Sequence, residues 1–96
     1  MNTVTLTGEF TQKYELRYTP AGLAVLEVVH HMSVVKEAGS DWKLQYDLAC
    51  KACGDIALAL NQEPLGSVFK LTGFLAPRSQ RSRQLIVHIT QYSQGV

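Results

Sequence analysis

Three arginines stand within one six-residue run, Arg78-Ser79-Gln80-Arg81-Ser82-Arg83. A guanidinium is planar, permanently charged and forked, which suits it to phosphate oxygens and to stacking on bases. The Ser and Gln side chains between the arginines add hydrogen bonds to phosphate or sugar. A different chemistry is raised by Cys50-Lys51-Ala52-Cys53. Where a strand enters a helix, that spacing suits a redox dithiol, because a helix N-terminus lowers a thiol pKa. Zinc takes four ligands, and two cysteines supply half of them. His30 and His31 adjoin in a strand, point to opposite faces and do not chelate together. The cysteines therefore read as two small buried hydrophobes, with no metal.

No hydrolytic constellation accompanies these groups. The chain lacks a G-x-S-x-G elbow, an H-E-x-x-H pair and a G-x-x-x-x-G-K-[ST] phosphate loop. Its acids are scattered singly and read as solvated charges. Glu27, inside an otherwise apolar strand, is the exception and points to a subunit contact. The expectation is a protein without catalysis or cofactor.

The formal net charge of +1 hides an uneven spread. Residues 1–63 hold eight acids and five bases, whereas residues 64–96 hold Lys70, Arg78, Arg81 and Arg83 and no acid. One local positive patch is expected rather than a uniformly basic surface. The longest apolar stretch, Leu23 to Val29, is broken by Glu27 and is too short to span a bilayer. The N-terminus shows neither a basic nor an apolar leader region, so a cytoplasmic protein without membrane contact is expected.

The elements that position these groups follow from periodicity. Val4, Leu6 and Phe10 alternate with Thr3, Thr5, Thr7 and Glu9, which predicts a half-buried strand with a bulge or bend at Gly8. Thr19-Pro20-Ala21-Gly22 is a turn. Gly22–Val35 predicts a second strand, residues 37–41 a loop, and Trp42–Cys50 a third strand. In that strand Trp42, Leu44, Tyr46 and Leu48 share a face that looks like core. Ala52, Ile56, Ala59 and Leu60 recur at helical spacing, and the helix ends before Pro64 and Gly66. Ser67–Leu75 predicts a fourth strand, with Phe69, Leu71 and Leu75 inward and Val68, Lys70, Thr72 and Phe74 outward. An outward Phe74 beside an outward Lys70 suits either DNA contact or a dimer interface. The basic loop follows, then a last strand over Leu85–Tyr92. At 96 residues this is one domain. The order predicts an all-β fold: a five-stranded OB-fold barrel with one short helix between strands 3 and 4.

Several stretches now resemble the single-stranded-DNA-binding protein superfamily. They are Asn2-x-Val4-x-Leu6-x-Gly8, Arg17-Tyr18-Thr19-Pro20-Ala21-Gly22 and Gly66-Ser67-Val68-Phe69-Lys70-Leu71-Thr72-Gly73-Phe74-Leu75. Within it the chain is similar end to end to the primosomal replication protein N (PriB) family. General members carry a long tail with an acidic tip; the sequence stops at Val96 without one, which is expected to favour the primosomal branch. The resemblance implies a homodimer that binds single-stranded DNA without sequence preference. It implies work beside the primosomal helicase and other replication-restart proteins at stalled forks. It also implies base stacking on Trp42 and Tyr46, and a cation at Arg17. The family favours lysines in the loop where this chain has Arg78, Arg81 and Arg83. Near a position where it tends to have a base, this chain has Met32 and Ser33. Two rival readings are an OB-fold protein-interaction module with little DNA affinity, and a thiol or zinc protein using Cys50 and Cys53.

Overall fold

Alternating apolar and β-branched residues build six strands and one helix in the computed structural model. It describes residues 2–37 and 40–94, with side chains outside 32–44. In chain order the elements are β1 (Val4–Lys13), β2 (Arg17–Tyr18), β3 (Ala24–Glu37) and β4 (Ser40–Cys53). The helix α1 (Asp55–Asn61), β5 (Val68–Pro77) and β6 (Leu85–Gln94) follow. The strands neighbour one another as β1-β5-β6-β4-β3, and β3 pairs back onto β1. This closes the expected five-strand OB-fold barrel, with α1 between its third and fourth barrel strands. Among the described residues no helix is long and apolar enough to cross a membrane.

The course of the strands departs from the sequence reading in several places. Arg17–Tyr18 forms a two-residue strand against Val25 and Ala24, set by the turn that follows. There the Gly22 amide donates to the Thr19 carbonyl at 2.8 Å, and Gly22 sits at φ 89°. The barrel is not wholly antiparallel: β4 and β6 meet in parallel over Cys50–Ala52 and Val87–Ile89. Gly8 pairs regularly with Phe69, and the irregularity lies at Thr11, between Phe10↔His30 and Gln12↔Val29. That is where β1 leaves β5 for β3, and an extra residue bends a strand there. Finally, β4 continues to Cys53, so Ala52 belongs to a strand and α1 starts only after Gly54 at φ 76°. Of the predicted loop at 37–41, Glu37 belongs to β3 and Ser40 and Asp41 belong to β4, while residues 38–39 lie outside the described residues.

The core runs through the barrel and is closed at one end by the helix. Phe10, Leu26, Val28, Cys50, Phe69, Leu71, Val87 and Ile89 pack with Ala57 and Leu60 of α1. The Lys13 ammonium donates to the carbonyls of Asn61 at 2.9 Å and Glu63 at 2.6 Å. A cation there suits the negative end of the helix dipole and ties β1 to α1. Gly73 marks the closest backbone approach: a Cβ there would lie 2.1 Å from the His88 carbonyl oxygen. Beside it β6 carries one extra residue, Thr90, whose hydroxyl donates to the Thr72 carbonyl at 3.0 Å. Leu75, expected inward, is exposed on the part of β5 that leads out to the basic loop.

Candidate nucleic-acid interface

Register across three strands organises the outside of the barrel. Val28, Cys50 and Val87 are aligned neighbours on β3, β4 and β6, and all three are buried. Side chains alternate along a strand. The next aligned residues, Glu27, Lys51 and His88, therefore form a row on the outer face. On β5 the row continues to Phe74, aligned with His88. The two rings stack flat, with centroids 5.0 Å apart and planes 1° apart. Phe74 keeps 39% of its surface open. The pair offers an exposed π-face beside a lysine, the combination single-strand binders use.

At the other end of the row, Glu27 gathers two of the predicted arginines. Its Oε2 accepts from Arg17 Nη1 at 2.9 Å and its Oε1 accepts from Arg78 Nη1. Arg78, in the β5–β6 loop, thus reaches Glu27 on β3. Glu27, which the sequence placed at a subunit contact, finds its partners within the chain. A groove of about 200 Å³ opens beside it, lined by Tyr14, Glu27, Val28, Val29, Ala49 and Arg78.

The loop is closed by its own bonds. The Arg78 amide donates to the Gln84 carbonyl at 3.0 Å, and the Gln84 amide donates to Ser82 Oγ at 3.1 Å. Ser82 Oγ thus shapes the loop as an acceptor, which leaves its O–H to donate to a phosphate oxygen. Arg81 and Arg83 are exposed and make no ion pair among the described residues. Lys70 is exposed on β5 and lines a second groove of about 180 Å³ with Thr72, Gln91, Tyr92 and Ser93.

Tyr46 corrects the reading of its strand face as core. It does lie on the inward side, aligned with Met32, yet it is 42% exposed. The reason is length. β1 covers β3 only up to His31, and β6 covers β4 only at Cys50–Ala52, so the rest of the β3–β4 ribbon outruns the barrel. Leu48, at the rim, is half-buried. Trp42 lies on the same ribbon, where the register shifts opposite Val34–Lys36. Its side chain lies outside the described residues.

The two cysteines occupy opposite faces of β4. Cys50 is buried, and burial pushes its thiol up to about 12, whereas Cys53 is exposed. Three residues apart in a strand is an odd spacing, so the thiols diverge. This removes the helix-entry geometry behind the redox reading, and it corrects the expectation that both cysteines are buried. His30 and His31 divide likewise. His30 is fully buried against Phe10, with ring centroids 5.1 Å apart, and neither ring nitrogen has a hydrogen-bond partner among the described residues. His31 Nδ1 lies 2.7 Å from Asp47 Oδ1 on the outer face. Burial lowers the His30 pKa, offset in part by the nearby backbone of Gly8 and Phe69.

The sequence reading did not single out Tyr14, Lys51 and His88 for this face, where the register and the groove place them. Lys51 was legible, since alternation with Cys50 sets it outward. His88 needed the β5–β6 register, and Tyr14 needed the fold of β1 against β3.

Comparison with known proteins agrees with this architecture. Residues 2–91 match a family described as another single-strand binding protein family. The replication restart protein PriB of Bordetella pertussis is 38% identical over 92 residues, covering 95% of this chain and 86% of that protein. The structure of PriB from Ralstonia solanacearum superposes with a TM-score of 0.86 at 25% identity, covering 98% of this chain and 97% of that one. Single-stranded DNA binding protein from Thermus aquaticus superposes with a TM-score of 0.81 at 20% identity. It covers 100% of this chain and 50% of that one, and its likeness is one of fold.

Proposed function

The chain belongs to the single-strand binding protein family, in its PriB branch, and on that premise we propose that it binds single-stranded DNA during replication restart. The observation that carries the reading is the outer row Phe74–His88–Lys51 beneath a loop whose Arg81 and Arg83 have no ion-pair partner among the described residues. Arg81, Arg83 and Lys51 meet phosphates, while the Phe74–His88 pair and the exposed Tyr46 stack bases. Trp42 and Lys70 extend the track. Every base has a π-face and every nucleotide a phosphate, so binding of this kind is independent of sequence. The protein has no catalytic step of its own.

Two copies joined as a homodimer double a modest patch and act at high effective concentration. In the cytoplasm the dimer holds the exposed strand beside the primosomal helicase and its partners. Titration of oligo-dT, followed by Trp42 fluorescence at several salt concentrations, tests the reading. With four to six phosphates neutralised, the log–log slope is expected at about −3 to −4. Replacing Arg81 and Arg83 by Ala is expected to weaken all sequences alike. A flat salt response or no binding at low salt would instead favour a protein-interaction module.

A further inference from the structure

The outer row contains a group that DNA binding does not call for: a carboxylate among cations. Glu27 is held by Arg17 on one oxygen and Arg78 on the other, and Lys51 is its aligned neighbour on β4. Its side chain is only 18% exposed, against 54% for Arg17 and 36% for Arg78. A carboxylate and a phosphodiester offer a guanidinium the same pair of anionic oxygens. The place Glu27 fills is therefore where a backbone phosphate would sit. The groove beside it, walled by Tyr14 and Arg78, opens onto the Glu27–Arg78 pair.

We propose that Glu27 is an internal phosphate mimic that masks Arg17 and Arg78 and holds DNA affinity below what the face would otherwise give. The inference rests on the DNA-binding reading and deepens it. Arg81 and Arg83 take the first contacts. Arg17 and Arg78 join only when a strand displaces Glu27, whose freed charge then repels the incoming phosphates. The mask explains how a loop with three arginines presents two free ones.

The test is an oligo-dT titration at low salt with the wild type, E27Q, E15Q, R78A and the E27Q/R78A double variant. E15Q removes the charge of an exposed carboxylate that makes no ion pair among the described residues, and it controls for net charge. E27Q is expected to bind about fivefold tighter, with a salt slope steeper by roughly 0.7 for each arginine released. E15Q is expected to change affinity less than twofold. R78A is expected to cost little in the wild type and severalfold in E27Q, which a double-mutant cycle reads as coupling. If E27Q binds no tighter than E15Q, or more weakly, Glu27 scaffolds the loop and the mask is overturned while DNA binding stands. If the wild type does not bind at all, the DNA reading fails and takes this inference with it. Should E27Q fail to fold by thermal melting, the folded single variants decide. R78A losing less affinity than R81A supports the mask; an equal or larger loss overturns it.

Discussion

One residue separates the two rows that cross β3, β4 and β6. Val28, Cys50 and Val87 face inward and are closed to water, while Glu27, Lys51 and His88 face outward and carry acid, base and imidazole. The rows lie on the same three strands, yet one fills the barrel and the other faces water. A slip of one residue in register would exchange them. The inner row therefore does more than stabilise. By fixing which residues align across the parallel seam, it also fixes the spacing of the outer charges.

Substitutions that hit one row and spare the other test this division. The largest effect is expected inside. Phe69 is 2% exposed and packs against Phe10 and Tyr92, at ring separations of 5.2 Å and 5.6 Å. Phe69→Ala is expected to cost about 3–5 kcal/mol in denaturant unfolding. That is a large part of the whole stability of such a domain. Next comes Gly73→Ala, whose methyl would be forced into the His88 carbonyl. Overpacking against backbone is expected to cost about 1–3 kcal/mol. Because it pushes on His88, it is also expected to disturb the Phe74 stack, so it touches both rows.

A smaller effect concerns acid. His30 is buried without partners and its pKa lies below the ordinary 6.5. Well above pH 6.5 both folded and unfolded chains hold it neutral, so stability is unaffected there. As pH falls below that value the unfolded chain takes up a proton that the folded one resists, and stability drops. The melting temperature is expected to fall between pH 7 and 5, and His30→Leu is expected to flatten that fall. The smallest structural effect belongs to the outer row. Lys51→Ala is expected to leave unfolding within about 0.5 kcal/mol of wild type. It is expected to reduce the DNA salt slope by roughly 0.7. A Lys51→Ala variant that melts early would erase the distinction between the rows.

Much of this was legible in sequence, and the limits have physical causes. Alternation in Val4–Phe10 and Phe69–Leu71, and the switch to helical spacing near Ile56, sufficed for an OB-fold. Alternation also assigns a residue to a face of its own strand. It does not say whether another strand covers that face, so Tyr46 was read with the core and stands in the open. Nor does a strand reveal its neighbour's register. Arg17 and Glu27 stand ten residues apart and meet through the β2–β3 hairpin, but Arg78 lies 51 residues from Glu27, and only the closed barrel brings that second guanidinium onto the carboxylate. The β4–β6 seam is equally invisible along the chain, and it is the seam that sets His88 beside Lys51.

The divergent cysteines of β4 have a practical consequence. Cys50 is buried, with its thiol pushed up to about 12, so thiolate-dependent reagents pass it by. Cys53 is exposed two positions beyond Lys51, on the same outer face. The native chain thus carries a single-site attachment point for a maleimide dye at the rim of the face proposed for DNA. A strand arriving along that row would change the dye's surroundings, giving an optical readout of occupancy without altering any residue of the protein.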